Sequence, residues 1–216
     1  MTSRCGSQKS GPIAPPITAV DISMSGAMQN EPDLSIAGQF LVAMPLLADP
    51  NFHRTVTCLC EYSSKGALGI VINRHDVRLT GKDVFSQLEI DYTPAAGVVP
   101  VHLGGPVHPN ELFILHGPPL IWEGTHEFQK GLALSNTVDL VEAIAQSRGP
   151  QKYIIALGCA GWGPGQLDFE LTENTWITAP MDREVLFDLP VGNRWETVLT
   201  RNGINPAVLS GTAGHA

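Results

Sequence analysis

The segment KYIIALGCAGWGPGQLDFE, residues 152–170, joins an apolar run to a glycine-rich stretch and an amphipathic one. Residues 152–157 are almost continuously apolar, which is typical of a strand buried on both faces. Residues 158–165 contain several glycines and a proline and predict a loop, and residues 165–172 predict a short helix. The segment therefore predicts a central strand that leads through a loop to the N-terminus of a helix.

Outward from this segment, strand-like and helix-like patterns are interleaved without strict alternation. Further strands are predicted at residues 39–44, 55–62, 67–73, 99–103, 111–116, 131–134 and 176–179. Further helices are predicted at residues 81–88, 137–147, 182–187 and 193–202. The turn SSKG between the second and third strands indicates an antiparallel hairpin, and Thr80 is placed to cap the first helix. This mixture predicts a single α+β domain rather than a doubly wound α/β fold.

The composition limits both the class of protein and the class of partner. The chain has 216 residues, of which 43% are hydrophobic and 16% are charged, and its formal net charge is −8. A chain this apolar buries a substantial core, which excludes global disorder, and its acidity disfavours direct binding to nucleic acid or to an anionic membrane. Residues 1–35 are rich in Gly, Pro and Ser and predict a disordered N-terminal extension, so the folded domain is predicted at residues 36–216.

The cysteines and the apolar stretches bear on the compartment. Cys5, Cys58, Cys60 and Cys159 lack the spacing of a disulfide framework. The longest nearly apolar stretch, residues 153–162, is shorter than the roughly 20 residues that a bilayer crossing needs. The first residues lack the apolar core of a secretory signal. Residues 1–20 contain no acidic residue, as in an organelle transit peptide, but their prolines oppose the amphipathic helix that such a peptide forms. We therefore expect a cytoplasmic protein that does not associate with membranes.

The glycine-rich segment is the first candidate site, for a ligand or a partner. Backbone N–H groups at a glycine turn and a helix N-terminus can face an anion, although neither a dinucleotide fingerprint nor a Walker A sequence is present. In the alternative interpretation, the glycines let Trp162 pack over the loop while Pro164 starts the helix. The candidate residues for ligand or partner binding are Gly158, Cys159, Gly161, Trp162, Gly163 and Gln166.

Three other arrangements are weighed against simpler structural interpretations. Cys159 at a strand-to-helix turn resembles a nucleophile elbow, but the spacing differs, and a small half-buried thiol is the simpler interpretation. Cys58 and Cys60 lie on the same face of a predicted strand. They are interpreted either as the first two ligands of a metal site or, more simply, as core residues. Asp168 and Glu170 form an acid–base pair or simply complement the helix dipole. No catalytic residue, metal site or cofactor is assigned.

Several segments together resemble the AlgH/YqgE family. In the first half these are FLVAMP (40–45), FHRTV (52–56), GALGIVINR (66–74) and GGPV (104–107). In the second half they are GCAGWGPGQLDFE (158–170), Asn174, Trp176, Phe187, Trp195 and GTAGHA (211–216). The resemblance implies a compact α+β domain with a bifurcated, barrel-like mixed sheet flanked by helices. It also implies a bacterial family in which one branch is called a transcriptional regulator of alginate production, no catalytic residue is established, and position 159 accepts Tyr and other side chains.

Two functions from different classes are expected from these observations. The first is a non-enzymatic regulatory or interaction protein that binds another protein through an exposed Trp162, without direct DNA contact. The alternative is a small anionic-ligand-binding protein or a Cys-dependent enzyme that uses the loop from Gly158 to Gly165. That alternative predicts a pocket beside the loop and a Cys159 thiol with a depressed pKa.

Overall fold

A computed structural model describes residues 36–45, 47 and 49–209 of the chain. These residues form ten strands: β1 (Gln39–Ala43), β2 (Val56–Ser63), β3 (Gly66–Val71), β4 (His75–Thr80), β5 (Pro100–Leu103), β6 (Val107–His116), β7 (His126–Gln129), β8 (Leu132–Ser135), β9 (Tyr153–Trp162) and β10 (Trp176–Pro180). The helices are α1 (Gly81–Gln87), α2 (Pro94–Gly97), α3 (Val138–Ala145), α4 (Gln166–Thr172), α5 (Arg183–Phe187), α6 (Arg194–Arg201) and α7 (Pro206–Leu209), with a 3-10 turn at Val191–Asn193. The predicted tail, residues 1–35, and the motif at residues 211–216 lie outside the described residues.

The strands form one branched sheet. Its main path has the order β10-β1-β2-β3-β9-β6-β8-β7, and β4 and β5 form a branch in which β5 pairs with β9. The β5–β9 pair is parallel, whereas the other strand pairs are antiparallel. The α+β fold and the bifurcated mixed sheet are therefore confirmed. The barrel-like sheet does not close, because β10 and β7 end the path without pairing with each other.

The sheet divides along β9. The first half of this strand, Tyr153 to Leu157, lies between β5 and β6, and its second half, Ala160 to Trp162, pairs with β3. Between the halves, Gly158 has a φ of +71°. A Cβ atom there would lie 2.4 Å from the carbonyl oxygen of Gly105, so only glycine lets the two backbones cross.

The glycine-rich loop predicted from residue 158 is consequently wrong up to residue 162, since these residues continue the strand. A helix does follow, from Gln166 to Thr172. Cys159 thus lies within a strand, where it pairs with Val107, and not at a strand-to-helix turn.

Three apolar clusters form the core. The largest packs one face of the sheet against α5 and α6, and includes Phe113, Ile154, Val185, Trp195 and Val198. The second packs α1, α2 and α3 on the sheet, and includes Val84, Phe85, Ala96, Leu140 and Ile155. The third lies beneath α4, and includes Leu41, Leu59, Trp162, Leu167 and Trp176. Helices thus flank the sheet, as the resemblance implied.

Most predicted elements are present with shifted ends. The β2–β3 hairpin is antiparallel, and Thr80 precedes α1, where the carboxylate of Asp83 accepts hydrogen bonds from its backbone N–H at 2.8 Å and its hydroxyl at 2.9 Å. The elements β4, α2, β7 and α7 were not predicted. β4 and β7 are short, and none of their side chains is buried, so they carry little of the apolar signal that marks a strand.

Candidate functional site

The residues predicted to form one site differ in burial, and only half of them reach the surface. Gly158, Cys159 and Trp162 are buried in β9, whereas Gly161, Gly163 and Gln166 are exposed. Trp162 is only 6% exposed, so the prediction that it projects from a flexible loop is wrong. The packing interpretation, in which this tryptophan covers the glycine-rich segment from inside, is the one the structure supports.

Trp162 belongs to an aromatic cluster with Phe52 and Trp176. Its ring lies 6.3 Å from that of Phe52 in a stacked arrangement, and 5.7 Å from that of Trp176 edge to face. Phe52 also meets Trp176 edge to face, with ring centroids 5.4 Å apart. Aromatic pairs at these distances are attractive beyond their burial, so three separate chain segments are fixed under α4.

The carboxylate of Glu170 binds this cluster to α4. Its Oε2 accepts hydrogen bonds from the indole N–H groups of Trp162, at 3.0 Å, and Trp176, at 2.7 Å. Its Oε1 accepts one from the side-chain amide of Gln166 at 2.8 Å, and the Oε1 of Gln166 accepts one from the backbone N–H of Gly163 at 3.1 Å. Glu170 is therefore held as an acceptor for structural donors, which favours an architectural role over the acid–base role considered from sequence.

The second carboxylate of α4 is also bonded. Asp168 accepts a hydrogen bond from the hydroxyl of Tyr62 on β2. This bond is the main cause that raises the pKa of Tyr62 above its ordinary value. Asp168 and Glu170 thus attach α4 to the sheet at two points, one on each side of Phe169.

Phe169 itself points outward. Its side chain is 65% exposed, whereas Leu167, two positions earlier, is 2% exposed and belongs to the core. The neighbouring residues Gly163, Pro164, Gly165, Gln166 and Asp168 are exposed as well. We call the surface formed by residues 163–166, Asp168, Phe169 and Glu173 the α4 face. Sequence reasoning did not single out Phe169, because a helix of seven residues has too few repeats to show which face is inward.

The three cysteines among the described residues are buried and free. Cys58, Cys60 and Cys159 all belong to the largest core cluster, which supports the core interpretation of the first two. Burial, with the negative charges of Glu111 and Glu61, raises the pKa of Cys159 to about 12. Burial is also the main cause that raises the pKa of Cys60. The depressed pKa expected for a nucleophilic Cys159 is therefore contradicted.

The described residues offer neither a cluster of metal ligands nor a membrane-spanning helix. Among residues 36–45, 47 and 49–209, no group of three or more His, Cys, Asp or Glu side chains is arranged to hold a metal ion. Within those residues, no helix has the length and apolarity needed to cross a membrane.

Comparisons with known proteins agree with the fold. A UPF0301 protein of Desulforapulum autotrophicum is 48% identical over 169 residues, covering 78% of this chain and 89% of that protein. A UPF0301 protein of Methylococcus capsulatus is 44% identical over 181 residues, covering 83% and 96%. The solution structure of the AlgH protein from Pseudomonas aeruginosa matches with a TM-score of 0.71 and 41% identity, covering 88% of this chain and 100% of that one.

A more distant structure shares the fold alone. The crystal structure of a protein from Corynebacterium diphtheriae matches with a TM-score of 0.60 and 21% identity, over 81% of this chain and 90% of that one. The family model described as AlgH-like matches residues 40–207. The chain therefore belongs to the AlgH-like family.

Proposed function

We propose that the protein is a non-enzymatic regulatory protein of the cytoplasm that binds another protein through the α4 face. The observation that carries this proposal is Phe169, an aromatic side chain that is 65% exposed on a helix whose other side is fixed. Aromatic residues that enter a partner's pocket supply a large share of the binding free energy in many interfaces. Phe169 is the proposed anchor.

The support beneath Phe169 favours binding. Leu167 is buried beneath α4, and the Glu170 carboxylate connects α4 to the indole N–H groups of Trp162 and Trp176. A side chain presented on a fixed base loses little backbone entropy when a partner binds, so more of the contact energy appears as affinity. Of the residues predicted from sequence, Gly163 and Gln166 lie on this face, while Trp162 supports it from below.

The charge around Phe169 indicates the chemistry of the partner. Asp168 and Glu173 are exposed on either side of it, and no salt bridge of the described residues involves either one. A complementary surface would offer an apolar pocket rimmed by basic side chains. The same acidity, with a chain charge of −8, supports regulation through protein contact rather than through direct DNA binding.

The test compares two exposed apolar residues. Partners are cross-linked to the full chain in the source organism and identified by mass spectrometry, and the affinity of a purified partner is then measured by calorimetry. Phe169→Ala should weaken binding about 30-fold, the effect typical of an interface anchor. The matched control is Ile121→Ala, which truncates a side chain that is 78% exposed outside the α4 face, and it should bind normally.

Trp162→Ala is not a suitable probe, because it would leave a void in the core. Both variants above should retain the unfolding free energy of the parent protein, since neither side chain is buried. A partner that binds Phe169→Ala as tightly as the parent protein would refute the assignment of the α4 face.

A further inference from the structure

A cavity of about 550 Å³ opens between the β7–β8 turn, the start of α5 and the end of α6. Its volume falls in the range of roughly 300–1,000 Å³ that is usual for small-molecule sites. Its apolar side is formed by Phe40, Val185 and Val198, which are buried members of the largest core cluster. These three side chains are at most 3% exposed and form the floor of the cavity, and the half-buried Met181 adds apolar surface on its wall.

The rim of the cavity carries both acidic and basic side chains, and only some of the basic ones are paired with a carboxylate. Arg201 contacts Asp182 and, at 2.9 Å, Glu184, so both carboxylates of the rim share one guanidinium. A second cavity, of about 390 Å³, shares Arg183 with the first, and its other cation, Lys152, is paired with Asp188. The paired cations are thus Arg201 and Lys152.

Lys130 and Arg183 remain without such partners. Within the described residues, neither has a carboxylate oxygen within 4.0 Å of its side-chain nitrogens. The guanidinium of Arg183 donates a hydrogen bond to the backbone carbonyl of Lys130, which holds Arg183 against the β7–β8 turn. Two cations without carboxylates therefore border one cavity of a chain whose net charge is −8.

Gly131 lies directly against the guanidinium of Arg183. Its φ is +69°, and a Cβ atom there would lie 3.0 Å from the Nη2 atom of Arg183. A larger residue would therefore crowd the guanidinium as well as strain the turn. The turn is also tied by a hydrogen bond from the backbone N–H of Gly131 to the carboxylate of Glu127 at 2.7 Å.

We infer that this cavity binds an amphipathic anion, whose carboxylate or phosphate lies between Lys130 and Arg183 and whose apolar body contacts Met181 and the cavity floor over Phe40, Val185 and Val198. Arg183 supplies planar donors that suit either headgroup, and Lys130 supplies a flexible positive charge. The site shares no residue with the α4 face, so it does not depend on the proposed partner binding.

The experiment uses the full chain and four probes: decanoate, decyl phosphate, decanol and inorganic phosphate. Calorimetry should give a Kd below about 1 mM for decanoate, decyl phosphate or both, and much weaker binding of decanol and phosphate, which each lack one half of the ligand. The comparison of decanoate with decyl phosphate identifies the preferred headgroup. The methyl resonances of Val185 and Val198 should shift on binding.

The charge variants supply the decisive comparison. Lys130→Gln and Arg183→Gln should each weaken binding about tenfold or more, as expected for the loss of a charge-assisted contact. The matched control is Lys65→Gln, which removes an exposed positive charge from the β2–β3 turn and should bind normally. Phe169→Ala should also bind normally. Lys130 is exposed, so its variant remains informative even if the Arg183 variant folds poorly.

Two results would overturn the inference. One is that neither decanoate nor decyl phosphate binds the full chain, whether or not decanol or phosphate binds. The other is binding that Lys130→Gln leaves unchanged.

Discussion

Trp176 donates its indole N–H to the Oε2 atom of Glu170 at 2.7 Å, across the turn between α4 and β10. The same oxygen accepts the indole N–H of Trp162 from β9. One carboxylate therefore joins two strands and a helix.

The first prediction concerns this carboxylate. Glu170→Ala should lower the free energy of unfolding by about 2–4 kcal/mol, because two partly buried indole donors lose their acceptor. Glu170→Gln keeps one acceptor oxygen and should cost less. Urea unfolding followed by tryptophan fluorescence measures both. Glu173→Ala removes an exposed carboxylate next to the same helix and should change stability by less than about 0.5 kcal/mol; an equal loss in this control would refute the role of Glu170.

The second prediction compares two glycines with the same backbone angle. Gly158 and Gly165 both have a φ of +71°, but a Cβ atom at Gly158 would lie 2.4 Å from a backbone oxygen, and one at Gly165 would meet nothing within 4 Å. Gly165→Ala should therefore cost only the strain of the left-handed region, about 1–2 kcal/mol. Gly158→Ala should cost more than about 4 kcal/mol or prevent folding. Thermal unfolding of both variants tests this, and similar melting temperatures would show that no backbone crossing constrains Gly158.

The third prediction concerns acid stability. His102 on β5 is 4% exposed, and burial, with the positive charges of Arg194 and His75, lowers its pKa to about 3. A histidine in the unfolded chain has a pKa near 6.5. Below that pH the unfolded state binds a proton at His102 that the folded state does not bind until the pH approaches 3. The free energy of unfolding should thus fall as the pH decreases from about 6.5, by up to about 1.4 kcal/mol per pH unit.

The variant His102→Gln isolates this effect. Its stability should depend less on pH between 6.5 and 4.5, and some dependence should remain because burial also lowers the pKa of His116. The measured quantity is the slope of the unfolding free energy with pH, which a uniform loss of stability leaves unchanged. A slope equal to that of the parent protein would show that His102 does not remain neutral in the fold.

The fourth prediction concerns the thiols. Because burial raises the pKa of Cys159 to about 12, almost no thiolate exists at pH 8 in the folded protein. Iodoacetamide should therefore label Cys159 slowly in buffer and rapidly in urea, where a thiol pKa near 8.5 is restored. Cys58 and Cys60 should also be labelled slowly in buffer, because both side chains are buried and the reagent reaches them only on unfolding. Peptide mapping by mass spectrometry resolves the three sites. Rapid labelling of Cys159 in buffer would restore the enzymatic hypothesis.

The parts of the fold that the sequence predicts correctly are those set by local patterns. The hairpin β2–β3 follows from β-branched runs around a short turn, α1 follows from apolar spacing and the cap residue Thr80, and α3 follows from apolar spacing. The second half of β9 could not be found in this way, because its glycines favour a loop locally. Gly158 is required because the backbone of Gly104 and Gly105, some fifty positions earlier, crosses β9 there.

The candidate site shows the same limit. Trp162 stands among glycines in the sequence, which suggested exposure, but Phe52 and Trp176 enclose it from distant segments. Position within the short helix α4 separates the buried Leu167 from the exposed Phe169, yet a helix of seven residues gives too few repeats to show which face is inward. Whether a residue is buried depends on which distant segments pack against it, and a local sequence pattern does not contain that information.

The central position of β9 has a consequence for synthesis on the ribosome. Without this strand, the sheet separates into three pieces: β10 with β1, β2 and β3, then β4 with β5, and finally β6 with β8 and β7. During translation, β3, β5 and β6 therefore emerge with unpaired edges and wait until residue 162 has left the exit tunnel. Open strand edges pair readily with other chains, so this interval is when the nascent protein most needs a chaperone.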